Sequence, residues 1–222
     1  MKKLPINYLI CIIITTIIIV NATATILIAQ PNKNSVFDTL VTKYGKINSV
    51  EVIFRDNNSS ENYNLKAQKG NKFVLNIGKN KIICNGKTIW NYNHHKKNVI
   101  INDFIPDENN FTVNYFFFNV LNNLQPISLS SQISTLNKNN KTYLLELGYS
   151  NKMNKLENNF FSIKNVKLTL NEKLNNIINI EIITNSDIYN WNIIHLQFNK
   201  HYNDLIFEFK VPKDIEEIDM RS

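Results

Sequence analysis

The stretch Cys84-Asn85-Gly86-Lys87-Thr88-Ile89-Trp90-Asn91-Tyr92 decides how this chain reads. Asn-Gly is the strongest short hairpin signal, because a tight turn of the favoured type needs positive φ at both central residues. Beyond it, Thr88, Trp90 and Tyr92 alternate with Ile89 and Asn91, so one face of the second strand is aromatic. Working upstream, Ile82-Ile83-Cys84 reads as a buried strand end, and Gly78-Lys79-Asn80 as the turn before it. Phe73, Leu75 and Ile77 alternate with Lys72, Val74 and Asn76, a strand is predicted over 63–69, and Val50, Val52 and Phe54 alternate with Glu51, Ile53 and Arg55. Downstream, His94-His95-Lys96-Lys97 turns the chain into a strand over 98–102. Short strands joined by short loops in this manner predict an antiparallel meander.

Two helices interrupt it. Phe37, Leu40, Val41 and Tyr44 fall at i, i+3, i+4 and i+7, with Asn34 or Ser35 as the N-cap and Gly45 as the stop. After the polar residues 106–110, the apolar run 111–124 carries Val113, Phe117, Val120, Leu121 and Leu124 at helical spacing, ending before Pro126. A buried strand is the alternative there. Strands resume near Gln132 and continue over 142–147, 166–170, 178–182, 189–198 and 205–211, the last stopped by Pro212. About ten strands and two helices predict a mainly-β, α+β chain built on one wide curved sheet.

The N-terminus has the form of an export leader. Lys2 and Lys3 precede an apolar run from Leu9 to Val20, and Ala22-Thr23-Ala24 follows as a small-x-small cleavage site, with Ala29 as a second. An uncleaved anchor is the competing reading, which Asn21, Thr23 and Thr25 weaken. The expected organisation is a leader over 1–24, or to 29, and a single domain over 25–222. Once Cys11 leaves with the leader only Cys84 remains, so no intrachain disulfide can form. The net charge of +7 is carried by scattered lysines, without the clustered Lys and Arg of a nucleic-acid binder.

Three ordered stretches resemble the periplasmic carrier family that takes lipoproteins to the outer membrane. They are Lys69-Gly70-Asn71-Lys72-Phe73, then Asn85-Gly86-Lys87-Thr88-Ile89-Trp90-Asn91-Tyr92, which is similar to the family's DGKTxWxY hairpin, and finally the segment 207–215 with Ile218-Asp219. The resemblance implies an incompletely closed antiparallel half-barrel whose apolar cavity, covered by helices, receives acyl chains. It implies a periplasmic monomer that binds acylated lipoproteins, takes them from an inner-membrane release complex and passes them to an outer-membrane acceptor. Acyl chains need an apolar concave site, and the candidate wall is Phe54, Phe73, Trp90, Tyr92, Phe116, Phe117 and Leu121. Lys69 stands where several carriers have an Arg tied to ligand release, and Gly70 stands where they have Pro. Lys keeps the charge without the planar fork.

A lipid-sensing regulator of the same fold, and an adhesion domain or an enzyme, are the other readings. Chemistry has little support. His94 and His95 are adjacent, His195 and His201 have no metal-ligand spacing, and no Gly-x-Ser-x-Gly or phosphate-binding glycine loop occurs. No cofactor, metal or nucleic acid is expected, and Glu216, Glu217 and Asp219 read as a solvated charge cluster.

Overall fold

A computed structural model of the chain describes residues 31–105, 112–133, 141–149, 163–185 and 187–221. The described residues from 32 onward belong to one compact unit. The predicted leader lies outside the described residues. Among the described residues no helix is long and apolar enough to cross a membrane.

Helix α1 (Lys33–Tyr44) comes first. Six strands follow as a meander: β1 (Ser49–Asp56), β2 (Asn62–Gln68), β3 (Lys72–Ile77), β4 (Asn80–Asn85), β5 (Thr88–Asn93) and β6 (Asn98–Asp103). After a helical segment over 113–123, the chain continues through β7 (Leu124–Ile133), β8 (Lys141–Tyr149), β9 (Asn165–Leu170), β10 (Ile177–Ile183) and β11 (Ile188–Phe198). The last strand is β12 (Glu216–Asp219). All belong to one sheet in the order β12-β6-β5-β4-β3-β2-β1-β11-β10-β9-β8-β7, whose edge strands β12 and β7 do not meet. Every pairing is antiparallel except that of β12 with β6. The result is the one wide, mainly-β sheet that the alternation predicts, in the open half-barrel form with covering helices that the resemblance implies.

One face of this sheet closes on the helices. Val50, Val52 and Phe54 of β1, Leu65 and Ala67 of β2, Val166, Leu168 and Leu170 of β9 and Ile180 and Ile182 of β10 form one cluster with Leu40, Tyr44, Phe116, Phe117 and Leu121. In sheet order β3, β2, β1, β11, β10, β9, β8 and β7 all contribute to this cluster, so the sheet wraps around the helical elements, and Lys33 Nζ donates to the Ile127 carbonyl of edge strand β7 at 2.6 Å. Helix α1 starts slightly earlier than the sequence suggests. Asn32 is the N-cap, its Oδ1 accepting from Asn34 N–H at 2.9 Å. Gly45 keeps a right-handed φ of −72°, so it does not end the helix by left-handed capping. Its value is space: a Cβ there would lie 2.5 Å from both the Val41 carbonyl and Asn122 Oδ1. Asn122 Nδ2 donates to the Gly45 carbonyl, locking the two helical elements together.

The segment 113–123 is helical, as predicted, but not one regular α-helix. A short α-turn at Val113–Tyr115 passes into a π-turn at Phe116–Val120 and a 3₁₀ turn at Leu121–Asn123. Phe116, Phe117, Val120 and Leu121 are all buried, at the i, i+1, i+4 and i+5 spacing of one apolar face. The chain then becomes β7 at once, well before Gln132, where the sequence suggests that strands resume. Pro126 is tolerated because β7 is an edge strand with a bulge between Pro126 and Ser128.

The other face carries a second cluster: Val74, Ile83, Trp90, Tyr92, Val99 and Ile101, covered by Tyr202 and Phe207, with Phe209, Val211 and Ile215 packed against it. The cover is the C-terminal segment. The strand predicted over 205–211 is absent; Asp204–Phe207 forms a 3₁₀ turn capped by Asn203, and an extended stretch follows. Tyr202 Oη donates to Glu51 Oε2 at 3.2 Å, and Lys200 Nζ reaches the same oxygen at 2.6 Å. Those donors hold the Glu51 carboxyl below its usual range. The predicted tail charge cluster is strand β12, whose four residues are exposed and pair with Asn98–Ile101.

Candidate functional site

The Asn-Gly hairpin is present, but its turn differs from the sequence reading. Cys84 pairs with Ile89, so the turn is centred on Gly86 and Lys87. Only Gly86 takes positive φ, at 94°; Asn85 stays in the strand, and its Oδ1 accepts from the N–H groups of Lys87 and Thr88 at 3.0 and 2.9 Å. A Cβ on Gly86 would press into the Gly70 carbonyl of the neighbouring β2–β3 turn.

The predicted wall residues do not share one face. Trp90 and Tyr92 pair across to Ile101 and Val99 and belong to the outer cluster, Tyr92 against Phe209 at 5.2 Å and His94 at 4.4 Å. They point away from the helices, and their assignment to an inner cavity is corrected accordingly. Alternation shows that Trp90 and Tyr92 share a face but not which one; that is decided by the C-terminal segment, far along the chain. Phe116, Phe117 and Leu121 are on the inner face but fully buried, with Phe117 among Tyr44, Phe198 and Phe116 at 5.9, 5.3 and 5.2 Å. They fill the core.

Phe54 and Phe73 do line a cavity. It lies between the inner face of β1–β3, the start of β11 and the first residues of the helical segment, and holds about 240 Å³. Tyr63, Leu65, Leu75, Val113, Tyr189 and Trp191 complete an aromatic and aliphatic wall, and Asp56, Thr112 and Asn114 stand with them as polar groups. Phe54 stacks on Tyr63 at 5.0 Å and meets Trp191 edge-on at 6.1 Å, so three rings fix one side of the space. Pairing explains the set: Phe54 faces Tyr63 across β1–β2, and Tyr63, Leu65 and Ala67 face Ile77, Leu75 and Phe73 across β2–β3. The signal for Tyr63, Leu65 and Leu75 is therefore present in the local strand alternation; Tyr189 and Trp191 require the long-range β1–β11 pairing.

Lys69 is elsewhere. It is exposed beside Asn48, Ser49, Asn199 and Lys200 in a broad polar groove at the start of β1, and its N–H donates to the Asn48 carbonyl at 3.0 Å. Cys84 is buried; its Sγ accepts from Gly86 N–H at 3.4 Å, and burial pushes the thiol pKa up. Among the described residues no group of three or more His, Cys, Asp or Glu is placed to hold a metal ion.

No protein-family model and no curated protein matches the chain. Solved structures do resemble it. LprF from Mycobacterium bovis covers 84% of the chain and 98% of its own length at TM-score 0.44 and 9% identity. Lipoprotein LppX from Mycobacterium tuberculosis covers 79% and 99% at TM-score 0.41 and 10% identity. A domain described as an outer membrane lipoprotein-sorting protein, from Vibrio parahaemolyticus, covers 79% and 97% at TM-score 0.41 and 10% identity. At these values the likeness is one of sheet architecture alone.

Proposed function

We propose that this protein binds acyl chains in the cavity between β1–β3 and the helical segment, and that it carries acylated lipoproteins between membranes. The observation that carries this reading is the cavity itself: apolar, bounded by three packed rings, and set on the concave face of an open sheet. Nothing along a methylene chain offers a hydrogen bond, so a wall of this kind binds by area, at about 0.8 kcal/mol per CH₂ buried. Such affinity is non-directional and suits cargo of varied protein sequence. At about 240 Å³ the space is just below the usual range for small-molecule sites, so it holds part of one chain and must widen for more.

The supporting sequence features are the leader-like segment 1–24 and the ordered motifs shared with lipoprotein carriers. On this reading the leader is removed, the domain acts in the periplasm as a non-enzymatic monomer without a cofactor, and its partners are a release complex and an acceptor at the two membranes. Native mass spectrometry with lipid extraction tests it, on the mature chain from its own cell envelope and after addition of a tripalmitoylated cysteinyl peptide. Bound acyl lipid is expected. Leu75→Trp, which fills the cavity from a half-buried position, should lose it while retaining the native circular dichroism and melting transition. A mature chain that arrives empty and ignores the lipopeptide would overturn the proposal.

A further inference from the structure

We infer that Asp56 makes the cavity selective for acyl chains attached through an uncharged ester or amide, and against free fatty-acid anions. This rests on the acyl-binding reading above and names the head chemistry that the same site admits. Among the described residues the cavity has one charged lining residue, Asp56, and it is acidic. Asp56 follows Phe54 by two positions on β1 and pairs across to Trp191, so its side chain stands on the concave side with the apolar wall. The other polar lining side chains near it, Thr112 and Asn114, are uncharged.

Among the described residues no lysine or arginine forms an ion pair with Asp56. Its neighbour Arg55 points to the opposite face, where its guanidinium donates to Asn62 Oδ1 at 3.2 and 3.0 Å. One carboxylate oxygen of Asp56 accepts from Asn58 N–H at 2.8 Å, which orients the group. A fatty-acid carboxylate whose chain fills the cavity leaves its charge at the polar lip, beside a fixed like charge and a low-dielectric wall, where repulsion is poorly screened. An ester or amide head brings no charge, and its carbonyl can accept from the Thr112 hydroxyl or the Asn114 amide. The arrangement thus excludes the commonest free amphiphile while admitting the linked chain.

Titration calorimetry at pH 8 on the mature chain, with dodecanoate and N-methyldodecanamide as probes of equal chain length, tests this. The amide should bind about tenfold more tightly or better. Asp56→Asn keeps an oxygen for the Asn58 N–H and removes only the charge, so it should abolish most of that preference while leaving the melting temperature unchanged. Equal binding of both probes by the native chain, or an undiminished preference in Asp56→Asn, would overturn the inference and leave acyl binding standing. Binding of neither probe would instead overturn the acyl-binding reading on which it rests.

Discussion

Gly86 and Gly70 sit at adjoining turns, and the first cannot carry a side chain without moving the second. Positive φ and a blocked Cβ position act together, so Gly86→Ala should cost about 1–3 kcal/mol, read as a lowered urea midpoint at unchanged slope. Gly70→Ala keeps an open Cβ site and should cost less, through its φ of 88° alone. Tyr44 gives a different prediction. Fully buried against Phe117 and Phe198, with Oη 3.2 Å from the Asn175 carbonyl, its phenol is raised to about 12 by burial. The folded state therefore keeps a proton that the unfolded chain releases near pH 10. Its contribution is complete below pH 10 and is lost as pH rises toward 12. Urea midpoints across that window should fall, and Tyr44→Phe should flatten the fall.

Strands with one polar face declare themselves by alternation, which is why β1, β3, β5 and β10 are legible in the sequence. Three elements are not, each for its own reason. In β7, Pro126 argues for a break, yet an edge strand needs no N–H on its open side and a bulge absorbs the ring. Residues 205–211 alternate like a strand but lie across the outer face of the sheet, where Phe207, Phe209 and Val211 pack in the cluster of Val74, Ile83 and Trp90 instead of pairing with a neighbouring strand. In β12, Glu216-Glu217-Ile218-Asp219 reads as solvated charge and is solvated; its strand character comes from backbone bonding to β6, which no side-chain pattern reports. The same reason hides half of the candidate site: the local hairpins give Phe54 and Phe73, while Trp191 arrives through the distant pairing of β1 with β11. The C-terminal segment should thus be energetically divided. Phe207→Ala, at a fully buried position, should cost about 3–5 kcal/mol. Removal of 216–222 should cost far less, but it bares the β6 edge and should raise the oligomeric fraction seen by sedimentation.

One sheet with an apolar cluster on each side is a different object from a sheet with one wet face. The inner cluster joins α1, the segment 113–123, strands β1–β3 and strands β7–β11; the outer one joins β3–β6 to the C-terminal cover. Because β3 contributes Phe73 and Leu75 inward and Val74 outward, loss of either cluster loosens a strand the other depends on, and a single cooperative unfolding transition is expected by both fluorescence and circular dichroism. The two tryptophans are divided between the clusters, Trp191 at the cavity wall and Trp90 under the cover. A brominated acyl chain, which quenches indole emission only on contact, should therefore darken Trp191 and leave Trp90 bright. Trp191→Phe should erase the response, and Trp90→Phe should keep it against a lower background. The chain thus carries two optical channels, one that reports occupancy and one that reports whether the protein is still folded.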